Sequence, residues 1–106
     1  MKVFLTGATG FIGGHVLPRL LRDHHELRCL VRTPEKARHL EQPGVTLVPG
    51  DVTDRAAVER AVAGCDGVVH LANVYSFWER DPRVYARVNV EGTRHVMEAA
   101  LAAGVR

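Results

Sequence analysis

The stretch Thr6-Gly7-Ala8-Thr9-Gly10-Phe11-Ile12-Gly13 follows the apolar run Val3-Phe4-Leu5 and leads into residues with helical apolar spacing. It reads as a strand, a glycine turn and a helix start. Gly7 permits a tight turn off the strand. Gly10 lets backbone N–H groups approach a pyrophosphate with no Cβ in the way, and Gly13 lets the helix lie close to the strand. The first helical turn then offers unpaired N–H donors and the positive end of its dipole to the anion. The competing reading is a glycine-rich turn that binds nothing. The strand before it and the helix after it weigh against that.

From Phe11 to about Arg22 the apolar positions Phe11, Ile12, Val16, Leu17, Leu20 and Leu21 fall on one helical face. Pro18 presses on the carbonyl of Gly14, so the expectation is a bend rather than a break. Asp23 to His25 turn the chain. Glu26 to Val31 alternates, with Leu27, Cys29 and Val31 on one face and Arg28 and Leu30 on the other, which predicts a second strand. Thr33 as cap, Pro34 at the first position and Glu35 beside the dipole start a short helix to about Leu40. Val45 to Val48 is a third strand. Thr53 or Asp54 caps a helix whose inward face is Val58, Ala61 and Val62, with Gly64 placed to end it. Val68-Val69-His70-Leu71-Ala72 is the nearly continuous apolar run of a strand covered on both faces. After a loop carrying Tyr75, Phe77 and Trp78, Asp81-Pro82 starts the longest helix, with Val84, Tyr85, Val88, Gly92, Val96 and Ala99 or Ala100 inward and Gly104 at its end.

Strand and helix alternate four times, so the fold class is α/β, a Rossmann-type parallel sheet with right-handed crossovers and strand order 3-2-1-4. The glycine turn belongs at the carboxyl end of the first strand, at the switch point where such sheets bind ligands.

The 106 residues, 46% hydrophobic and 25% charged, suit one domain spanning 1–106 with a small core. No run approaches the roughly 20 apolar residues of a membrane span, and no secretion signal precedes the first strand, so the expected location is cytoplasmic. The net charge of +2 is scattered with acids between, which argues against a nucleic-acid partner. Cys29 and Cys65 form no paired motif and read as buried thiols. The six histidines contain no i, i+4 pair, which argues against a metal site.

In a dinucleotide fold the end of the second strand meets the adenosine ribose. Val31-Arg32-Thr33 stands there, and a guanidinium suits a 2′-phosphate where no carboxylate is present to prefer the bare hydroxyl. NADP is thereby favoured over NAD. The alternative is that Arg32 is an exposed strand-end cation.

The Thr6–Gly13 turn, Gly50-Asp51-Val52-Thr53-Asp54, Val69-His70-Leu71-Ala72 and Asn89-Val90-Glu91-Gly92-Thr93 resemble the successive motifs of the extended short-chain dehydrogenase/reductase family. The loop from Val74 to Pro82 is similar to its dihydroflavonol-reductase-like and epimerase/dehydratase branch. The resemblance implies that Gly7, Thr9, Gly10, Phe11, Ile12, Gly13 and Arg32 contact the cofactor. It also implies that Asp51 accepts a hydrogen bond from the adenine amino group, that the Val52 backbone touches the ring edge, and that Leu71-Ala72-Asn73 run beside the riboses. Asn89 would hold a bend in the long helix. Plainer readings stand beside these: Asp51 as a turn or cap residue, His70 as a satisfied strand histidine, Asn89 as structural only, and the aromatic loop as packing rather than a substrate entrance.

The family's chemistry uses a tyrosine, a lysine four residues later and usually a serine or threonine. The only lysines are Lys2 and Lys36, Tyr75 is followed four places on by Glu79 and Tyr85 by Asn89, so no catalytic residue is assigned. The family pattern would resume just after Arg106, so the chain reads as the nucleotide-binding front half of such an enzyme. Its fourth strand would be an unpaired sheet edge, which predicts self-association. The resemblance implies an oxidoreductase that reduces a small-molecule carbonyl substrate by hydride transfer from NADP(H). The alternatives are an NAD-dependent nucleotide-sugar epimerase or dehydratase, and a non-catalytic NADP(H)-binding or interaction module.

Overall fold

The computed structural model describes residues 1–72, 83 and 86–105, with Ala86 as backbone only. Asn73, the aromatic loop with Tyr75, Phe77 and Trp78, the Asp81-Pro82 helix start, Val84 and Tyr85 lie outside the described residues.

Four strands, β1 (Lys2–Thr6), β2 (Glu26–Val31), β3 (Val45–Pro49) and β4 (Gly67–His70), form one sheet in the order β3-β2-β1-β4. All three pairings are parallel, with Thr6 opposite Leu30 on one side and His70 on the other. The expected class and strand order are therefore those observed. The period-2 alternation sorts side chains onto two faces. Val3, Leu5, Leu27, Cys29 and Val31 pack with Leu17, Ala37 and Leu40 in one core. Phe4 and Leu30 pack with Val58, Ala61, Val62, Val96 and Ala99 in the other. Full burial of an apolar side chain the size of Phe4 or Leu5 contributes about 1.5–3 kcal/mol, so β1, covered on both faces, is the anchor of both cores.

Helix α1 (Phe11–Arg22) runs through Pro18 without interruption. Its end is a reversed turn in which His25 N–H donates to the Leu20 carbonyl (3.1 Å) and His24 N–H to that of Leu21 (3.0 Å), with His24 at φ +67. Phe11 and Ile12 depart from the expected packing face: both are exposed, and the helix seats itself through Gly13 and Leu17, with Leu20 and Leu21 against the same core. Its first turn overhangs the end of β1, beyond the reach of the sheet.

Pro34–Leu40 is helical as expected but wound as a 3-10 helix, and the Thr33 side chain makes no capping hydrogen bond. Its buried residues, Ala37 and Leu40, are three apart, the spacing that a three-residue turn stacks on one side. Helix α2 (Arg55–Val62) is capped by Asp54, whose Oδ1 accepts from Ala56 N (3.1 Å) and Ala57 N (3.4 Å). At its other end Arg28 Nη1 donates to the Ala61 (2.9 Å) and Ala63 carbonyls.

β4 ends at His70 rather than Ala72: Leu71 N–H is shared between the Thr6 carbonyl (3.1 Å) and the Thr6 hydroxyl (3.0 Å), and Ala72 N–H turns to that hydroxyl. The strand is half-buried throughout, since β1 is its only partner strand among the described residues. The last helix is not uniform. Ala86–Gly92 is a π-helical segment that passes into α3 (Thr93–Ala102). Gly92 is buried against Val52, where a Cβ would lie 2.7 Å from Val52 Cγ2.

Candidate cofactor site

The carboxyl ends of the four strands open into a cleft of about 440 Å³. Gly7, Thr9, Gly10, Phe11, Ile12, Gly13, Arg32, Asp51, Val52, Leu71 and Ala72 all line it. Of the residues expected to contact the cofactor, Asn73 lies outside the described part.

The glycine turn is shaped by close backbone approach. Gly7 has φ +76, and a Cβ on it would stand 2.6 Å from the Leu71 carbonyl carbon and 2.8 Å from Ala72 N. A Cβ on Gly13 would collide with the Gly7 carbonyl oxygen and stand 2.7 Å from Ala8 Cα. The strand, the turn and the helix are therefore packed backbone to backbone. Gly14 N–H donates to the Gly10 carbonyl (2.9 Å) as the first bond of α1. The N–H groups of Phe11, Ile12 and Gly13 precede that bond and have no helical partner. These donors and the positive end of a twelve-residue helix face the cleft, an arrangement that fits a pyrophosphate.

Arg32 is exposed at the end of β2, and it makes no hydrogen bond or ion pair among the described residues. Arg32 and Asp51 are the charged residues lining the described cleft. Asp51 is half-buried, and its Oδ1 accepts from Thr53 N (3.2 Å), so it does serve the turn between β3 and α2 while bordering the cleft.

Behind the cleft, buried Thr6 joins the elements. Its Oγ1 accepts from Leu71 N (3.0 Å) and Ala72 N (3.1 Å), and it lies 2.6 Å from His70 Nδ1. His70 Nε2 lies 3.0 Å from Thr93 Oγ1, which donates to the Asn89 carbonyl (2.8 Å). His70 is thus a satisfied strand histidine, and burial lowers its pKa below the ordinary histidine value.

Thr6, Leu30, Val31, Gly50 and Val88 also line the cleft and were missed as site residues in the sequence. The first four sit at strand ends, where the switch-point rule points. Val88 comes from the π-helical segment, and nothing local in the sequence signals that it reaches the cleft. Among the described residues no three His, Cys, Asp or Glu side chains are placed to hold a metal ion, and no helix is long and apolar enough to cross a membrane.

The NAD(P)H-binding family model matches residues 7–106. The chain belongs to that family. This NAD(P)H-binding domain is 35% identical over 102 residues to a putative dihydroflavonol 4-reductase of Synechocystis, covering 96% of the chain and 29% of the relative. It is 40% identical over 111 residues to cinnamoyl-CoA reductase 1 of rice, covering 98% of the chain and 32% of the relative. Among solved structures, the UDP-glucose 4-epimerase of Thermus thermophilus in complex with NAD superposes with a TM-score of 0.87 at 32% identity, over 100% of this chain and 35% of that one. These relatives make it the NAD(P)-binding portion of an extended short-chain dehydrogenase/reductase, whose members include NAD(P)-dependent oxidoreductases and epimerases. The chain spans about a third of the length of the relatives it matches.

Proposed function

We propose that this domain binds NADP(H) in preference to NAD(H) and serves an enzyme that reduces a carbonyl compound. The observation that carries the preference is Arg32, an unengaged guanidinium at the rim of the cleft where the second strand ends, with no carboxylate beside it to accept from a ribose 2′-hydroxyl. The Phe11, Ile12 and Gly13 N–H groups would hold the pyrophosphate. Asp51 and Val52 would border the adenine, and Leu71, Ala72 and Asn73 the riboses. The bound nicotinamide would supply a hydride. No residue of this chain is assigned to proton transfer, because neither tyrosine has a lysine four residues on. The chain alone is therefore expected to bind cofactor without turning over substrate.

Relatives named as reductases support the carbonyl substrate. The epimerase neighbour with NAD supports a second reading, in which the cofactor is NAD and the substrate a nucleotide sugar. Calorimetric titration with NADP+ and NAD+ separates the two. NADP+ binding at least about tenfold tighter, the equivalent of about 1.4 kcal/mol, and lost in Arg32→Asp, supports the first. Equal affinities, unchanged in the variant, overturn it. Among the described residues the outer edge of β4 has no partner strand, so the chain should self-associate at high concentration. A light-scattering mass of one chain at high concentration would refute that.

A further inference from the structure

The hydrogen bonds behind the cleft can be assigned a direction. Thr93 Oγ1 has one hydrogen and gives it to the Asn89 carbonyl, so toward His70 it is an acceptor. His70 Nε2 must then carry the ring proton and Nδ1 must be bare. Thr6 Oγ1 accepts two N–H groups, from Leu71 and Ala72, and its own hydrogen is left for His70 Nδ1. Leu71 N–H is shared between Thr6 Oγ1 and the Thr6 carbonyl (3.1 Å), and with Nε2–H fixed by Thr93 the neutral ring leaves Nδ1 to accept the Thr6 hydrogen. The two ends of this chain matter to the site: Leu71 and Ala72 border the glycine turn, and the segment containing Asn89 carries Val88 into the cleft.

We propose that His70 is a positioning residue for the dinucleotide: as the neutral Nε2–H tautomer it ties Thr6 to Thr93, and so holds the Leu71–Ala72 backbone and the π-helical segment in the places that shape the cleft. The proposal rests on the cofactor reading above. It predicts a proton-linked affinity. An imidazolium presents an N–H at Nδ1 to a Thr6 oxygen whose two lone pairs are already taken and leaves the Thr6 hydrogen without its acceptor, so either the Ala72 bond is released or Leu71 N–H withdraws to the Thr6 carbonyl alone. Burial of the ring opposes the same protonation. Among the described residues, the charged and titratable groups on the packed elements contact other groups or are exposed. Asp66 Oδ2 accepts from the Lys2 backbone N–H (2.9 Å) at the far end of the β1–β4 pair, His95 Nδ1 contacts the Val52 carbonyl oxygen, and Glu98 pairs with Arg55. Arg83, Arg87, Glu91 and Arg94 are exposed. By reciprocity, bound cofactor must lower the proton affinity of His70.

The test uses the full chain. Nitrogen-resolved NMR of the His70 ring reads tautomer and titration directly, so the other five histidines do not confuse it. Calorimetric titrations with NADP+ and NAD+ at about pH 8 and about pH 5 read the linkage. If cofactor lowers the His70 pKa by one unit, affinity falls severalfold across that range, toward a limit of about tenfold. Thr93→Val keeps the side-chain shape but removes the acceptor. It should mix the two His70 tautomers, weaken binding at about pH 8 and change the pH slope, and Thr93→Ser should restore all three. An Nδ1–H tautomer in the unchanged chain, or the same affinity and slope in Thr93→Val, overturns the positioning role while leaving the cofactor reading intact. A folded chain with His70 as Nε2–H that binds neither dinucleotide overturns both.

Discussion

Adjacent glycines in α1 should respond to the same substitution with opposite signs. A Cβ on Gly13 meets only backbone: the Gly7 carbonyl oxygen, Ala8 Cα at 2.7 Å and the Gly7 carbonyl carbon at 2.9 Å. No side chain can rotate away, so the helix must lift off the turn. Overpacking typically costs about 1–3 kcal/mol, and three backbone contacts place Gly13→Ala at the upper end, about 3 kcal/mol. At about 4–8 °C per kcal/mol for a domain near this size, the melting midpoint falls by about 12 °C or more. A Cβ on Gly14 meets nothing within 4 Å, and the residue sits in the helix interior. Gly14→Ala should therefore stabilise by about 0.5–1 kcal/mol through the lower entropy of the unfolded chain. Thermal melts of the three chains by circular dichroism, at one pH and without cofactor, decide the matter. A Gly13→Ala midpoint within about 2 °C of the parent would refute the claim that the turn is packed backbone to backbone. A lower midpoint for Gly14→Ala would refute the helix geometry around it.

Burial lowers the His70 pKa, so as pH falls through about 6.5 the unfolded chain binds more protons than the folded one. This contribution to stability is present above that pH and is lost below it. Melting midpoints should fall between about pH 7 and pH 5, less steeply in His70→Gln, and an equal slope in the variant would count against it. His24 holds φ +67 at the end of α1, a conformation glycine adopts freely, so His24→Gly should raise stability by about 1 kcal/mol in urea titrations. Arg28→Met keeps the stem on the sheet but leaves the Ala61 and Ala63 carbonyls without their donor. Its expected cost, about 1–2 kcal/mol, is that of hydrogen bonds to a charged group, partly offset by solvent, and unfolding midpoints in urea measure it.

The repeating patterns were legible because their causes are local. Alternation in Glu26–Val31 placed Leu27, Cys29 and Val31 in one core and Leu30 in the other, and helical spacing gave the inward face of α2. Four alternations of strand and helix then left few topologies, and the strand order 3-2-1-4 is the one observed. Glycine spacing likewise marked the turn, since a missing Cβ is visible in the sequence and the need for it is steric.

Contacts between distant segments were not legible. Phe11 and Ile12 carry the spacing of a packing face, yet they are exposed because the first turn of α1 overhangs the sheet at the cleft. β4 stops where Ala72 N–H turns to the Thr6 hydroxyl, sixty-six residues before it. Arg28 looks like a surface charge until α2 sets two carbonyls against it. The sequence by itself determined the element order, the sheet and the glycine turn, because chain periodicity and glycine sterics act over a few residues. Only the tertiary structure decided which strand ends meet at the cleft and how Thr6, His70 and Thr93 bond, because hydrogen-bond partners are chosen by position in space and not by spacing along the chain.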